Sequence, residues 1–244
     1  ARYEDFQRLE AAKAKVEAAF GELGVLSKEL EAKNKELEAE NLRKARELEE
    51  AQRLQLAMLP EKPPELPHLD IAVYMQPATE VGGDYYDFKL EDDGTLTAAI
   101  GDATGHGLQA GTMVATAKGL FNSLAHEPDP VHILQKSSYA IKAMGFPRLY
   151  MALLLAKFKD RQVRIASAGM PYALIYRARS GQIEEIVLKG MPLGSFPEFP
   201  YQQKNVSLST GDTILFISDG LEEMFNDKDE TLGTDQVKTL VAGA

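Results

Sequence analysis

The chain has 244 residues, 44% of them hydrophobic, with no cysteine, four histidines and a formal charge of −10. The lack of cysteine excludes disulfides and thiolate metal sites, so any metal must be held by oxygen or imidazole, and carboxylate ligands favour hard cations. The acidic balance and the absence of a Lys/Arg stripe exclude a broad nucleic-acid surface. No apolar run approaches the ~20 residues of a membrane span, and no signal-peptide core opens the chain.

These bounds predict a soluble, cytoplasmic protein with one sizeable core and an extended appendage. The sequence opens on Ala1 and stops at "LVAGA", the pattern of a fragment. Residues 1–59 contain no proline and place Leu9, Val16, Leu23, Leu30 and Leu37 at seven-residue spacing. This predicts a dimerising coiled coil. The companion seam, Lys13, Phe20, Ser27, Asn34 and Asn41, turns polar in its second half, where asparagines fix register and strand number. After Leu37 the spacing becomes eleven, through Leu48 to Leu59, which relaxes the supercoil toward straight or slightly right-handed. The alternative is a single amphipathic helix with its stripe buried on its own domain.

The segment "PEKPPELP", residues 60–67, ends the helix, because each proline lacks an amide donor and disfavours helix in the residue before it. Residues 68–244 form the second domain. Strands are predicted at 71–76, 96–102, 149–158, 162–169, 173–178, 183–188 and 212–220, several separated by turn residues at hairpin distance. Two helices, 107–126 and about 128–144, interrupt them as a pair. The pattern is α+β with helices packed on sheets; a Rossmann fold needs strict alternation, which is missing.

Three acids lie beside glycine and close to apolar runs: Asp84 in "VGGDYYD", Asp102 in "IGDATGHG" and Asp219 in "FISDGLEE". Any one alone reads better as a turn or cap aspartate. Three converging carboxylates would repel one another unless a cation neutralised them, and the glycines let a ligand approach the backbone. His106 is either a proton donor to a leaving group or a solvent-facing turn residue. The spacing of Gly105, Gly107 and Gly111 is not that of a dinucleotide loop, and neither Ser167 nor Ser218 sits in a nucleophile elbow.

The ordered set "LQLAMLP", "VGGDYYDF", "IGDATGHGLQAG", "IASAGMPYALIYR", "GMPLG" and "GDTILFISDGLEEMFN" resembles the SpoIIE/RsbU-like branch of the PPM-type metal-dependent serine/threonine phosphatases. The resemblance covers about residues 54–226. It implies an α-β-β-α sandwich of two antiparallel sheets flanked by helices. It also implies a binuclear Mn²⁺ or Mg²⁺ centre whose shared water attacks phosphoserine or phosphothreonine on a partner protein. By resemblance Asp102 bridges both metals, the Ala103 carbonyl binds one of them, Asp84 serves the second and Asp219 the first. Asp87 would either support these ligands from behind or only hold the turn, and Gly105 would support them from behind. The implied partner is a phosphorylated anti-sigma-factor antagonist, and the implied controller is an upstream sensor acting through the helical linker.

Three departures qualify the resemblance. The family's fourth acid has no counterpart among Glu222, Glu223, Asp227, Asp229, Glu230 and Asp235, so the first metal is expected to bind weakly here. The usual "SAGH" reads "SAGM", with Met170 in place of histidine. The strand that should close one sheet is missing, which leaves an exposed edge. Two alternatives accompany the phosphatase reading: a dimeric signalling scaffold that has lost catalysis, and a nucleotide cyclase, since "GGDYYD" is similar to the cyclase G-G-D-E-F signature.

Overall fold

The computed structural model describes residues 2–76, 81–225, 229 and 231–243. Asn226, Asp227 and Glu230 of the motifs above lie outside them. The chain divides into two units, residues 1–47 and 48–244. The first is helical throughout: α1 (Arg2–Ala57) fills it and continues into the second. Leu9, Val16, Leu23, Leu30 and Leu37 are all exposed along it. The helix stops two residues short of the predicted boundary. Met58 and Leu59 close it with backbone bonds to Gln55 and Leu56, just before the first proline.

The second unit contains two antiparallel sheets. The larger has five strands in the order β1 (Asp84–Leu90), β2 (Leu96–Ala103), β3 (Met151–Lys159), β4 (Gln162–Ala168) and β7 (Gln203–Ser207). The smaller has three, with β5 (Ala173–Arg177) between β6 (Gln182–Ile186) and β8 (Thr213–Phe216). Alternation along the strands splits the core in two. One face of the larger sheet, carrying Ala99, Leu153, Leu155 and Ala166, packs against α2 (Leu108–Leu124) and α3 (Pro130–Ala143). The other, carrying Leu96, Leu154, Ala156 and Ile165, packs against Ile175 and Ile186 of the smaller sheet. Behind the smaller sheet, Leu174 and Ile217 meet Val237 of α5 (Gly233–Gly243). The result is the α-β-β-α sandwich implied by resemblance.

Asp129 caps α3, accepting from the Val131 amide at 2.9 Å, with Pro130 at the first helical position where its missing N–H costs nothing. Six of the seven predicted strands form. Among the described residues, 71–76 join no sheet, and Val73 and Tyr74 are exposed. Strands β1 and β7 and the helices after β8 were not anticipated. Among the described residues no helix is long and apolar enough to cross a membrane.

Candidate metal centre

Asp84 opens β1 and Asp102 lies one residue from the end of β2, and the antiparallel register sets them directly opposite each other. Opposed residues share a face. Here it is the inter-sheet face, where Phe88, Ala98 and Ile100 lie. The smaller sheet supplies the third acid: β8 ends at Phe216, and the chain enters the short α4 (Asp219–Glu222) at Asp219. The Ser218 side chain lies by the Asp84 carboxylate and favours its charged form.

Burial, then the charges of Asp84 and Asp219, push the Asp102 carboxyl up to about 6; the Ala103 amide opposes this and Glu223 adds to it. Burial also raises Asp84, with the Ser218 side chain opposing and the Asp219 charge reinforcing. These are carboxylates held in one another's field, the condition a cation relieves. Among the described residues no three acids or histidines stand close enough to enclose a metal ion as they are.

The backbone is cut away at the same place. A Cβ on Gly83 would lie 2.5 Å from the Ala103 carbonyl oxygen and 2.6 Å from Asp102 Oδ1, closer than real Cβ atoms approach anything. Two oxygens of the expected donor set therefore flank one point that only glycine leaves open. The donor chemistry, all oxygen and net negative, fits Mn²⁺ or Mg²⁺.

The glycines around Asp102 divide the labour. Gly105 and Gly107 adopt positive φ, 84° and 71°, and turn the chain from β2 into α2. Gly101 and Gly111 give space: a Cβ would meet Met151 Cε at 2.6 Å in the first case and Val81 Cγ1 at 2.7 Å in the second. The loop is pinned on both sides, since the Thr104 amide donates to the Tyr150 carbonyl and the Gly107 amide to the Val81 carbonyl, each at 3.0 Å. His106 is exposed in this loop without a hydrogen-bond partner.

Asp87 does not support the ligands directly. It lies on the face of β1 opposite to Asp84, because side chains alternate. There its buried carboxylate accepts from Lys118 Nζ at 2.7 Å, the Tyr85 hydroxyl at 2.8 Å and the Phe88 amide at 2.9 Å. It anchors α2 to β1. A Cβ on Gly105 would meet nothing within 4 Å, and its φ of 84° is what requires glycine there. Met170 is buried in the inter-sheet core, a packing role that needs no histidine.

Three contributors escaped the sequence reading. Gln55, buried in the last full turn of α1, donates to the Gly82 carbonyl at 2.7 Å and accepts from the Gly82 amide at 3.1 Å. It grips the residue beside Gly83. Ser218 was dismissed as a nucleophile and instead stands by Asp84, favouring its charged form. Glu222 accepts from the Tyr172 hydroxyl and, at 2.5 Å, from the Thr234 hydroxyl, tying α4 and its Asp219 to β5 and α5.

Residues 92–244 match the family described as Stage II sporulation protein E. The chain is 28% identical over 180 residues to phosphoserine phosphatase RsbU of Bacillus subtilis, covering 72% of this chain and 53% of that protein. It is 25% identical over 187 residues to phosphoserine phosphatase RsbP of the same organism, covering 74% and 46%. The chain thus spans about half the length of these curated relatives. Among solved structures, the SiaA-PP2C domain of Pseudomonas aeruginosa superimposes with a TM-score of 0.68 at 21% identity, over 83% of this chain and 82% of that one. The RsbU and RsbW domains of a Mycobacterium tuberculosis protein give 0.55 at 27% identity, over 68% and 46%. The cyclase alternative falls away, because the "GGD" stretch opens an edge strand of a PP2C-type sandwich. With more than half its residues matched, Asp102 and Asp219 among them, the chain belongs to the SpoIIE family.

Proposed function

We propose that this chain is the catalytic part of a metal-dependent protein serine/threonine phosphatase of bacterial signalling. Its substrate is a phosphorylated partner protein of the anti-sigma-factor-antagonist class, and it works in the cytoplasm. The carrying observation is the pairing of Asp84 with Asp102 beside the gap at Gly83, with Asp219 delivered from the other sheet. The named activity of RsbU and RsbP supports the same reading.

Asp84, Asp102, the Ala103 carbonyl and Asp219 would hold Mn²⁺ or Mg²⁺, with the ion at Asp219 bound the more weakly. When bound, such ions supply an acidified water and neutralise the phosphoryl oxygens. The chain's own residues do the rest. Ser218 orients Asp84, Gln55 and Thr104 fix the backbone on either side, and Glu222 fixes the start of α4. His106, exposed beyond Ala103, is assigned the proton that returns to the departing serine or threonine oxygen. Residues 1–59 pair two copies and carry a signal from an upstream sensor domain into Gln55. The exposed seam of α1 supports this assignment.

A second reading, a scaffold with an impaired centre, is favoured by the absence of three converging ligands among the described residues. Mn²⁺ binding followed by calorimetry, and Mn²⁺-dependent release of phosphate from a phosphoserine protein, separate the two. The phosphatase reading expects both in this chain, with Asp102→Asn lowering turnover by roughly a hundredfold or more, the scale of losing a principal stabiliser of transition-state charge. Absence of Mn²⁺ binding would leave the scaffold.

A further inference from the structure

At the end of the larger sheet farthest from the acids, on the face that carries the helices, three strands present a row of polar side chains. Lys157 on β3 stands directly opposite Arg164 on β4, and Arg164 directly opposite Asn205 on β7. With Lys159, Gln162 and Val163 they line a cleft of about 210 Å³. Lys157 is five residues along β3 from Ala152, the register partner of Asp102, so about 16 Å separates the cleft from the acids at ~3.3 Å per residue.

Like charges directly opposite on one sheet face destabilise it. This pair is worse than most because Lys157 is 3% exposed. Desolvation pulls its amine below the ordinary lysine range; the fields of Glu91, Asp93 and Glu127 oppose that shift, and Arg164 reinforces it. None of those acids bonds Lys157. Its ammonium donates to the Thr97 hydroxyl and the Ala125 carbonyl, both at 2.7 Å, which leaves one of three donors unused. Lys159 is already paired with Asp93 at 3.0 Å. The Arg164 guanidinium has neither a hydrogen bond nor an acid partner among the described residues. In a chain of net charge −10, with acids available to neutralise an arginine, two facing cations are left around an open cleft.

We propose that this cleft binds a compact oxyanion, the phosphate group of a small organic monoester, between the Arg164 guanidinium and the Lys157 ammonium, with the Asn205 amide at its rim. The planar fork of arginine matches two oxygens of such a group, and the spare lysine N–H reaches a third. The bound anion removes the repulsion between the cations, so occupancy stabilises the fold. This inference does not depend on the phosphatase reading, since the cleft and the acid cluster share no residue.

The test is thermal unfolding of the whole chain in EDTA, titrated with inorganic phosphate or sulfate at constant ionic strength. Wild type is expected to show a saturable rise in melting temperature. Arg164→Gln and Lys157→Met should each weaken the apparent affinity by at least roughly tenfold, the loss of one charge-assisted partner. Asp102→Asn should leave the titration unchanged. An equal rise in wild type and Arg164→Gln would place the anion elsewhere and overturn the proposal, as would a wild type that shows no saturable rise. If Lys157→Met does not fold, Arg164→Gln, at a half-buried position, decides the matter alone.

Discussion

Asp102 carries a charge that the metal-free fold resists. Its pKa in the folded chain, about 6, lies above the 3.8 of an unperturbed aspartate, so the folded state binds the proton more tightly than the unfolded state. The favourable contribution is complete below pH ~4 and is lost as the pH rises through 6. Without metal, the wild type should therefore fall behind Asp102→Asn as pH rises from 4 to 7, by about 1 kcal/mol once solvent screening of a half-exposed group is allowed for. Melting curves of both proteins in EDTA across that range measure this difference, and a pH-independent gap would contradict it. Adding Mn²⁺ at pH 7 should reverse the order of the two proteins, because only wild type keeps the full donor set. The three acids stood out in the sequence only as a set and by resemblance, because aspartate beside glycine is by itself commonly a turn or cap residue. What Asp87 does was not legible, because its lysine partner is 31 residues away on another element.

Elements differ in how plainly the sequence announces them. Strands β2 to β5 read as apolar runs because both faces of the larger sheet and the inner face of the smaller are covered. β1 hides behind a buried aspartate, and β7 behind "QKNVS", in which Val206 alone is buried. The segment at 71–76 has strand composition but no ladder partner among the described residues, so composition misled. The end of α1 was illegible for a different reason: glutamine in a polar helix looks like surface, yet Gln55 satisfies both backbone groups of Gly82. Gln55→Ala should cost about 1 kcal/mol, since two part-buried backbone groups of Gly82 lose their partner. It should also speed hydrogen exchange at the Gly82 amide and weaken Mn²⁺ binding. Denaturant melts and amide exchange at residues 81–84 test this, and unchanged protection at Gly82 would dissociate the helix end from the site.

At the scale of the whole molecule, α1 exposes five apolar residues at heptad spacing, the pattern expected of a pairing helix. Sedimentation should give twice the 26.8 kDa chain mass, and Leu23→Glu with Leu30→Glu should return it to one. A monomeric wild type would refute pairing through this helix. A different constraint spans the sandwich. The hairpin between β1 and β2 turns at Gly94, φ 80°, where Asp93 accepts from the Thr95 amide and hydroxyl and pairs with Lys159. That turn sets the offset that brings Asp84 against Asp102 six rungs away. A single residue added there would slide β1 by one position and rotate its acid to the helix side. The hairpin tip thus works as a ruler, and an insertion that touches no ligand would abolish the acid pair as completely as replacing Asp84 itself.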